Sequence, residues 1–345
     1  MRYADAGVDR ARAAEARERI RKLVQSTWNV DLGRFGGFSG AFPFPGDPER
    51  LLTATIDGVG TKTILAAQAG RHRGIGVDLV HHCVNDTLAH GASPLFLLDY
   101  FGAASLDPEL LAEILEGAAE ACRAHGIAIL GGETAELPGL YEPGRYDFAG
   151  CMLGWARRDG WIDGRDLAPG DVLIGLESSG LHTNGYSLAR RVLFETAGQG
   201  PESVVPGTRM TLGDALLEPH RSYAAALRAL GDVRPRALAH ITGGGFTENL
   251  PRVLPEGLGA RLESWPLPPL FEWIRALGDV PMEEMRRVFN LGYGMVVALE
   301  SGREAEGLRR LEGAGERARV LGRVVPGAGV RFEPPAPAGS SRTIK

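Results

Sequence analysis

Three acids in this chain follow or flank a glycine-rich or helix-entry element, and two histidines sit beside glycine-rich turns. Asp57 closes the β-branched run Leu52–Ile56 and is followed by Gly58-Val59-Gly60-Thr61-Lys62. Asp86 lies in Val84-Asn85-Asp86, and Glu133 in Gly131-Gly132-Glu133-Thr134-Ala135-Glu136. His182 belongs to Ser178-Ser179-Gly180-Leu181-His182-Thr183-Asn184-Gly185, and His240 precedes Ile241-Thr242-Gly243-Gly244-Gly245. Carboxylates are hard oxygen ligands suited to Mg²⁺. Glycines admit close approach of backbone N–H groups to phosphate oxygens, and a helix N-terminus favours negative charge. Three unpaired acids repel one another, and a divalent cation carried in by a nucleotide relieves that. On this reading Lys62 is the phosphate partner. The spacing fits neither G-x-x-x-x-G-K-[ST] nor G-x-G-x-x-G. A plain strand, glycine turn and helix would explain the first stretch on its own equally well.

The elements that must hold these groups are legible in part. Leu52–Ile56 reads as a strand and Lys62 opens a helix. Gly76–His90 reads as a helix ended by Gly91 and Pro94. His82, Asp86 and His90 fall at i, i+4 and i+8 on it, a spacing open to a transition metal. With no third nitrogen or sulfur ligand evident, the favoured reading is that the histidines are structural and Asp86 alone is functional. Pro94–Phe101 is a strand. Asp107-Pro108 starts a helix that runs to His125 and stops at Gly126. Ile127–Leu130 reads as a short buried strand delivering the Gly131–Glu136 loop, and Tyr146–Arg157 as another strand. Beyond a turn-rich boundary at 163–170, strands are expected at Asp171–Glu177, Leu238–Ile241, Met295–Leu299 and Ala318–Val325. Helices are expected at Tyr186–Ala197, near Thr211, and at Tyr223–Leu230, Leu270–Leu277, Met282–Phe289 and Arg303–Glu312. The glycines 243–245 before a helix make a second candidate anion cradle. Phe35–Gly40 reads as a lid or an ordinary connection. Asp9 is a candidate cap for a basic helix running to about Gln25, whose charges read as a solvated face. Arg21 or Lys22 on that helix is the alternative, an anion contact.

Composition bounds the rest. The chain has 345 residues and a net charge of −5, which gives no global attraction to nucleic acid or to an anionic membrane. Its 48 glycines fall in short groups at turns rather than in a low-complexity tract. Three cysteines, Cys83, Cys122 and Cys151, give neither a disulfide framework nor a zinc ribbon. No apolar run approaches the ~18 residues of a membrane span, and no signal-peptide core is present. A cytoplasmic protein is expected, organised as residues 1–165, residues 166–333 and a disordered tail at 334–345.

Taken together, Tyr3–Asp9 (YADAGVD), DGVGTK, VND, PLFLLDY, GGETAELPG, SSGLHTNGYS, HITGGGF and FNLGYG resemble the aminoimidazole ribonucleotide synthetase family, also called phosphoribosylformylglycinamidine cyclo-ligases. The resemblance covers nearly the whole chain. DGVGTK and GGETAE recur in selenophosphate synthetases and thiamine-phosphate kinases, whereas YADAGVD, SSGLHTNGYS and TGGGF are more specific. The resemblance implies a two-domain α/β fold that binds ATP and Mg²⁺ and dimerises through the sheet of its first domain. It implies Mg²⁺ at Asp57, Asp86 and Glu133. It implies ATP contacts from Asp57, Gly58, Gly60, Thr61, Lys62, Asp86 and Arg21, the last at the position of a family lysine. Substrate binding falls to Ser178, Ser179, Gly180, His182, Asn184, His240, Thr242, Gly243, Gly244 and Gly245. His182 and Lys62 carry catalysis. Three departures stand out: Arg21, with Lys22 beside it, occupies the place of an ATP-linked lysine, His220 that of a usual threonine, and Phe38-Ser39-Gly40 differs from the usual loop.

The implied chemistry is closure of the imidazole ring of formylglycinamidine ribonucleotide with ATP. Two other readings are a sister kinase or synthetase using the same ATP site, and a non-catalytic nucleotide-binding regulator. The second-domain motifs argue against the first, and the intact acids and His182 against the second.

Overall fold

The computed structural model describes residues 1–7, 10–30, 32 and 36–334. The expected cap Asp9, Phe35 of the glycine-aromatic loop, and the expected tail beyond Pro334 lie outside the described residues.

The first half runs α1 (Arg10–Gln25), β1 (Gly40–Pro43), β2 (Arg50–Gly58), α2 (Lys62–Ala69), α3 (Arg73–Leu88), β3 (Ser93–Ala103), α4 (Pro108–His125), β4 (Ala128–Glu136) and β5 (Tyr146–Arg157). Its strands form one sheet in the order β1-β2-β5-β3-β4. All pairs are antiparallel except β3–β4, which are parallel and joined by α4 as a crossover. Local chemistry fixes α4 at both ends. The Asp107 carboxylate accepts from the N–H groups of Glu109 and Leu110, both at 3.1 Å, and Gly126 takes the left-handed turn at φ 67°.

The second half runs β6 (Val172–Glu177), α5 (Tyr186–Arg190), α6 (Leu212–Leu217), α7 (Ala224–Ala229), β7 (Ala237–His240), α8 (Gly245–Asn249), β8 (Leu258–Glu263), α9 (Pro269–Leu277), α10 (Met282–Val288), β9 (Tyr293–Leu299), α11 (Glu304–Gly313), β10 (Ala318–Pro326) and β11 (Gly329–Glu333). Its sheet order is β11-β8-β10-β6-β9-β7. Strands β7 and β9 are buried along their whole length, which explains their unbroken apolar runs. A π-helical turn over Arg191–Thr196 extends α5.

Three strands were not expected: β1, β8 and β11. A fourth differs in kind. The Gly131–Glu136 segment is no loop, because β4 continues through it to Glu136, paired with β3 from Gly131 opposite Leu98 to Glu136 opposite Ala103. Nor is β4 buried; it is an edge strand, mostly exposed.

Helix α3 joins the two halves and has almost no solvent face. Leu79, Cys83 and Thr87, at i, i+4 and i+8, lie over β5, where Gly150 and Gly154 leave room: a Cβ at Gly150 would stand 3.0 Å from the Leu79 side chain. On another side α3 meets α4 closely. A Cβ on Gly76 would fall 1.9 Å from the Ile114 carbonyl oxygen, and one on Gly117 1.9 Å from that of Arg73. The remaining side presents Asp78, His81, His82 and Asn85 to the second half of the chain.

Candidate active site at the domain seam

Polar groups of α3 grip backbone from the second half. Asp78 Oδ1 accepts from the His220 N–H at 2.7 Å, and Lys62 Nζ donates to Asp78 at 2.9 Å and to the Glu218 carbonyl at 2.8 Å. Asn85 accepts from the Tyr223 N–H and donates to the Arg221 carbonyl. Thr61 and Ser187 meet at 3.2 Å. These bonds satisfy the turn at 218–223, which carries His220 into the seam.

Beside this grip runs a continuous polar chain. His82 Nε2 stands 2.9 Å from Asp57 Oδ2, and His82 Nδ1 2.9 Å from Thr183 Oγ1. Thr183 Oγ1 lies 3.4 Å from His220 Nδ1, His220 Nε2 3.0 Å from His240 Nε2, and His240 Nδ1 2.7 Å from Asp86 Oδ1. With Asp86 accepting, every bond is met by one orientation of the protons. His240 donates from Nδ1, His220 from Nε2, the Thr183 hydroxyl to His220, and His82 from Nδ1 to Thr183. The chain crosses from the first half to the second and back.

His182 stands at its edge. Its backbone is left-handed at φ 61°, unusual for a residue with a Cβ, and its ring stacks on His220 with centroids 4.0 Å apart. Its Nε2 accepts from the Ser179 N–H at 3.2 Å, which leaves Nδ1 to carry the proton of the neutral ring; that buried Nδ1 has no partner among the described residues. Gly294 is required there, since a Cβ would stand 2.5 Å from the His182 ring. Burial, with His240 and Lys62 nearby, holds His182 well below the ordinary imidazole value. Burial does the same to His220, helped by His182 and His240, and it lowers His240 against the pull of Asp86. His82 goes the other way. Burial opposes its charge, but the Asp57, Asp86 and Asp78 carboxylates prevail and push it up to about 9. Burial would likewise raise Asp57, and the His82 imidazolium with the Gly58 N–H holds it below the usual range. The cluster therefore holds one imidazolium between two acids, with three neutral imidazoles beyond it.

Several expected site residues are committed elsewhere or lie apart from this cluster. Lys62 opens α2 as expected, but its side chain is wholly buried and committed to Asp78 and Glu218 rather than facing a ligand. Burial lowers its pKa against the pull of Asp78, and burial raises Asp78 to about 6. Glu133 does not join Asp57 and Asp86. In the register, Asp57 shares its row with Gly150, Asp99 and Gly132, whereas Glu133 shares the next row with Tyr100, Ala149 and Gly58. Successive residues of a strand face opposite sides, so Glu133 lies three strands away from β2, beyond β5 and β3, on the face turned from α3. Glycines 243–245 precede a helix of five residues; Gly245 is there because a Cβ would stand 2.1 Å from the Arg286 carbonyl oxygen. His90 parts from His82 and Asp86: it bonds the Phe38 N–H and the Ile162 carbonyl and stacks on Trp161. Phe38 and Ser39 are buried, so the described part of that loop is packed. Arg21 lies on the exposed α1, where the Glu15–Arg19 pair fits a solvated face.

Other expected residues do come together. Asp57, Asp86, His182 and His240 line one seam. Gly243 faces Asn184, with 2.9 Å between its notional Cβ and Asn184 Oδ1; Asn249 ties Thr242 and Gly245. Ser178, Ser179 and Gly180 line a cavity of about 410 Å³, walled by Trp265, Pro268 and Leu291. That volume suits a small molecule. His82, Thr183 and His220 were missed as parts of the cluster. One signal was available: of the eight histidines, five (81, 82, 182, 220 and 240) lie in or beside motifs that the fold brings together.

The fold and seam define a class. The AIR synthase related N-terminal domain family matches residues 41–156 and its C-terminal counterpart residues 168–333. A thiamine-monophosphate kinase from Stenotrophomonas maltophilia K279a shares the fold, with a TM-score of 0.64 at 17% identity over 93% of this chain and 96% of that one. Sequence narrows the class. A phosphoribosylformylglycinamidine cyclo-ligase from Geobacter sulfurreducens is 45% identical over 94% of this chain and 96% of its own. One from Geobacillus thermodenitrificans is 45% identical over 96% and 97%. The chain belongs to the phosphoribosylformylglycinamidine cyclo-ligase family.

Proposed function

We propose that this enzyme closes the imidazole ring of formylglycinamidine ribonucleotide at the expense of ATP, giving 5-aminoimidazole ribonucleotide, ADP and phosphate, a step of purine synthesis carried out in the cytoplasm. The observation that carries the reading is the convergence of Asp57 and Asp86 from the first domain with His182 and His240 from the second in one seam, in a chain 45% identical to proteins bearing that name.

An amide-type formyl oxygen is a poor leaving group. Transfer of the γ-phosphoryl group to it releases ADP. Attack by the amidine nitrogen on the formyl carbon then closes the ring, and phosphate departs with that oxygen. The two reacting groups belong to one molecule, so holding them in the attacking geometry supplies much of the rate. Asp57 suits a Mg²⁺ that arrives with the nucleotide: its side chain is 42% exposed, with its polar contacts limited to the Gly58 N–H and His82. Asp86 lies deeper, as the second acid. Mg²⁺ would neutralise triphosphate oxygens there. The Gly58 and Gly60 backbone and Thr61 border the same mouth. Lys62 positions the seam through Asp78 rather than touching phosphate. His182 is the candidate proton carrier or charge stabiliser at the formyl group, through the unpartnered Nδ1. Ser178–Gly180 and the 410 Å³ cavity would hold the ribonucleotide.

A homodimer goes with this reading. The face of the first sheet turned from α3 carries Phe42, Ile56 and Leu98 at 44%, 74% and 41% exposure, an apolar surface suited to a second copy.

The test is ADP release with formylglycinamidine ribonucleotide beside thiamine phosphate, selenide and no acceptor. Release dependent on formylglycinamidine ribonucleotide supports the reading. Equal release with another acceptor points to a sister enzyme, and nucleotide binding without release under any condition to a regulator.

A further inference from the structure

Two imidazoles are aimed between the two acids of the seam. His82 Nε2 lies 2.9 Å from Asp57 Oδ2 and 3.8 Å from Asp86 Oδ2, and His240 Nδ1 lies 2.7 Å from Asp86 Oδ1. One donor atom from each of His82, Asp86 and His240 lies within 4.8 Å of the others, and all three residues are buried. A tetrahedral ion with bonds of about 2.0–2.1 Å holds its ligand atoms roughly 3.3 Å apart. The observed separations bracket that value. His82 Nε2 is also buried with no hydrogen bond of acceptable angle, its contact with Asp57 being an ion pair alone.

The other nitrogen of each ring is already fixed. Thr183 Oγ1 accepts from His82 Nδ1 at 2.9 Å; when an ion replaces the proton on His240 Nδ1, the chain reverses there, so that His240 donates from Nε2 to His220 Nε2 at 3.0 Å and His220 from Nδ1 to Thr183. Outer partners of this kind set the ring orientation in metal sites. The neighbouring trio His182, His220 and His240 is a poorer candidate. The His182 and His220 rings are stacked at an interplanar angle of 23°, so their in-plane lone pairs run side by side rather than converging.

We propose that His82, His240 and Asp86 form a binding site for a borderline divalent transition ion of the Zn²⁺, Co²⁺ or Mn²⁺ class, able to fill in the absence of nucleotide, with Asp57 beside His82 at its edge. Two imidazole nitrogens with one carboxylate, leaving a position for water, suit such ions, whereas Mg²⁺ favours six oxygens and keeps its waters. The exposed edge of Asp57 gives the ion a path in. The site shares Asp86 with the Mg²⁺ reading and depends on it only for any part the ion plays in turnover.

The experiment uses the full chain without a histidine tag, stripped with chelator and titrated with Co²⁺ in excess Mg²⁺, with no nucleotide present. The expected result is one Co²⁺ per chain, with the visible absorption of a low-coordinate nitrogen–oxygen site, displaced by Zn²⁺. His82→Gln should weaken binding by at least ~100-fold, since loss of an outer partner alone costs roughly 10–100-fold. His82→Cys should restore binding and add a sulfur-to-cobalt charge-transfer band, which a merely structural role would not produce. Absence of Co²⁺ binding by wild type at micromolar concentration overturns the proposal, as does unchanged binding by His82→Gln. Cobalt binding with no ADP release on formylglycinamidine ribonucleotide would remove the functional reading and leave this site standing.

Discussion

His240 donates its Nδ1 proton to Asp86 Oδ1 at 2.7 Å across the seam, with the imidazole fully buried and the carboxylate nearly so. A second-domain strand end thereby bonds a first-domain helix at the proposed reaction site. The two halves of the cluster can be separated by substitution. His182→Ala is expected to leave Mg·ATP binding nearly intact while ring closure falls roughly 10²–10⁴-fold, the usual worth of a general acid–base group. Asp57→Asn is expected to weaken nucleotide binding in Mg²⁺ directly. Calorimetric titration beside single-turnover product formation reads both, and full cyclisation by His182→Ala would make that histidine a structural loop residue.

Lys62 and Asp78 form an ion pair with neither side chain exposed. Removing one partner strands the other in the seam. Lys62→Ala is expected to cost roughly 3–5 kcal/mol, and the double variant Lys62→Met with Asp78→Leu to recover much of it. Denaturant unfolding measures this. If Lys62→Ala instead keeps its stability and loses ATP affinity, Lys62 is the phosphate partner after all.

The His82 imidazolium makes seam stability depend on pH. Its folded pKa of about 9 lies above the ordinary 6.5. A raised folded pKa contributes stability in full below about pH 6.5, and that stability fades as pH rises through about 9. The difference in unfolding free energy between wild type and His82→Gln, with chelator present, is expected to shrink by ~3 kcal/mol between pH 6 and pH 10. A difference flat across that range would place a neutral ring at His82.

The apolar sheet face predicts the assembly. Sedimentation at micromolar concentration is expected to give a dimer. Ile56→Arg, which sets a charge in the middle of that face without touching the core, is expected to give a folded monomer. A monomeric wild type, or a dimeric Ile56→Arg, would move the interface elsewhere.

What the sequence revealed follows from how local each signal is. Asp107, Pro108 and Gly126 bound α4 by bonds within a few residues, and the expected ends match the observed ones. Strand β4 was misread past Leu130 because Gly131–Glu136 looks like a loop; its strand character comes from pairing with β3, which no local pattern encodes. The misplacement of Glu133 follows from the same error, since a loop could have bent toward Asp57 and a strand cannot. His182 and His240 were legible from their glycine-rich turns. His82 and His220 were not, because their meeting depends on α3 docking against the 218–223 turn, more than a hundred residues away in sequence.

The near-contact of Gly76 with Gly117 makes α4 a remote adjuster of the seam. A methyl group added at Gly117 would meet the Arg73 carbonyl at a notional 1.9 Å, and α3 would have to lift. His82 and Asp86 ride on α3, so a change on the outer helix, touching neither nucleotide nor ribonucleotide, would alter the alignment of the two halves. Heat-sensitive or slowed forms of this enzyme are accordingly to be sought at the α3–α4 crossing as much as among the reacting groups themselves.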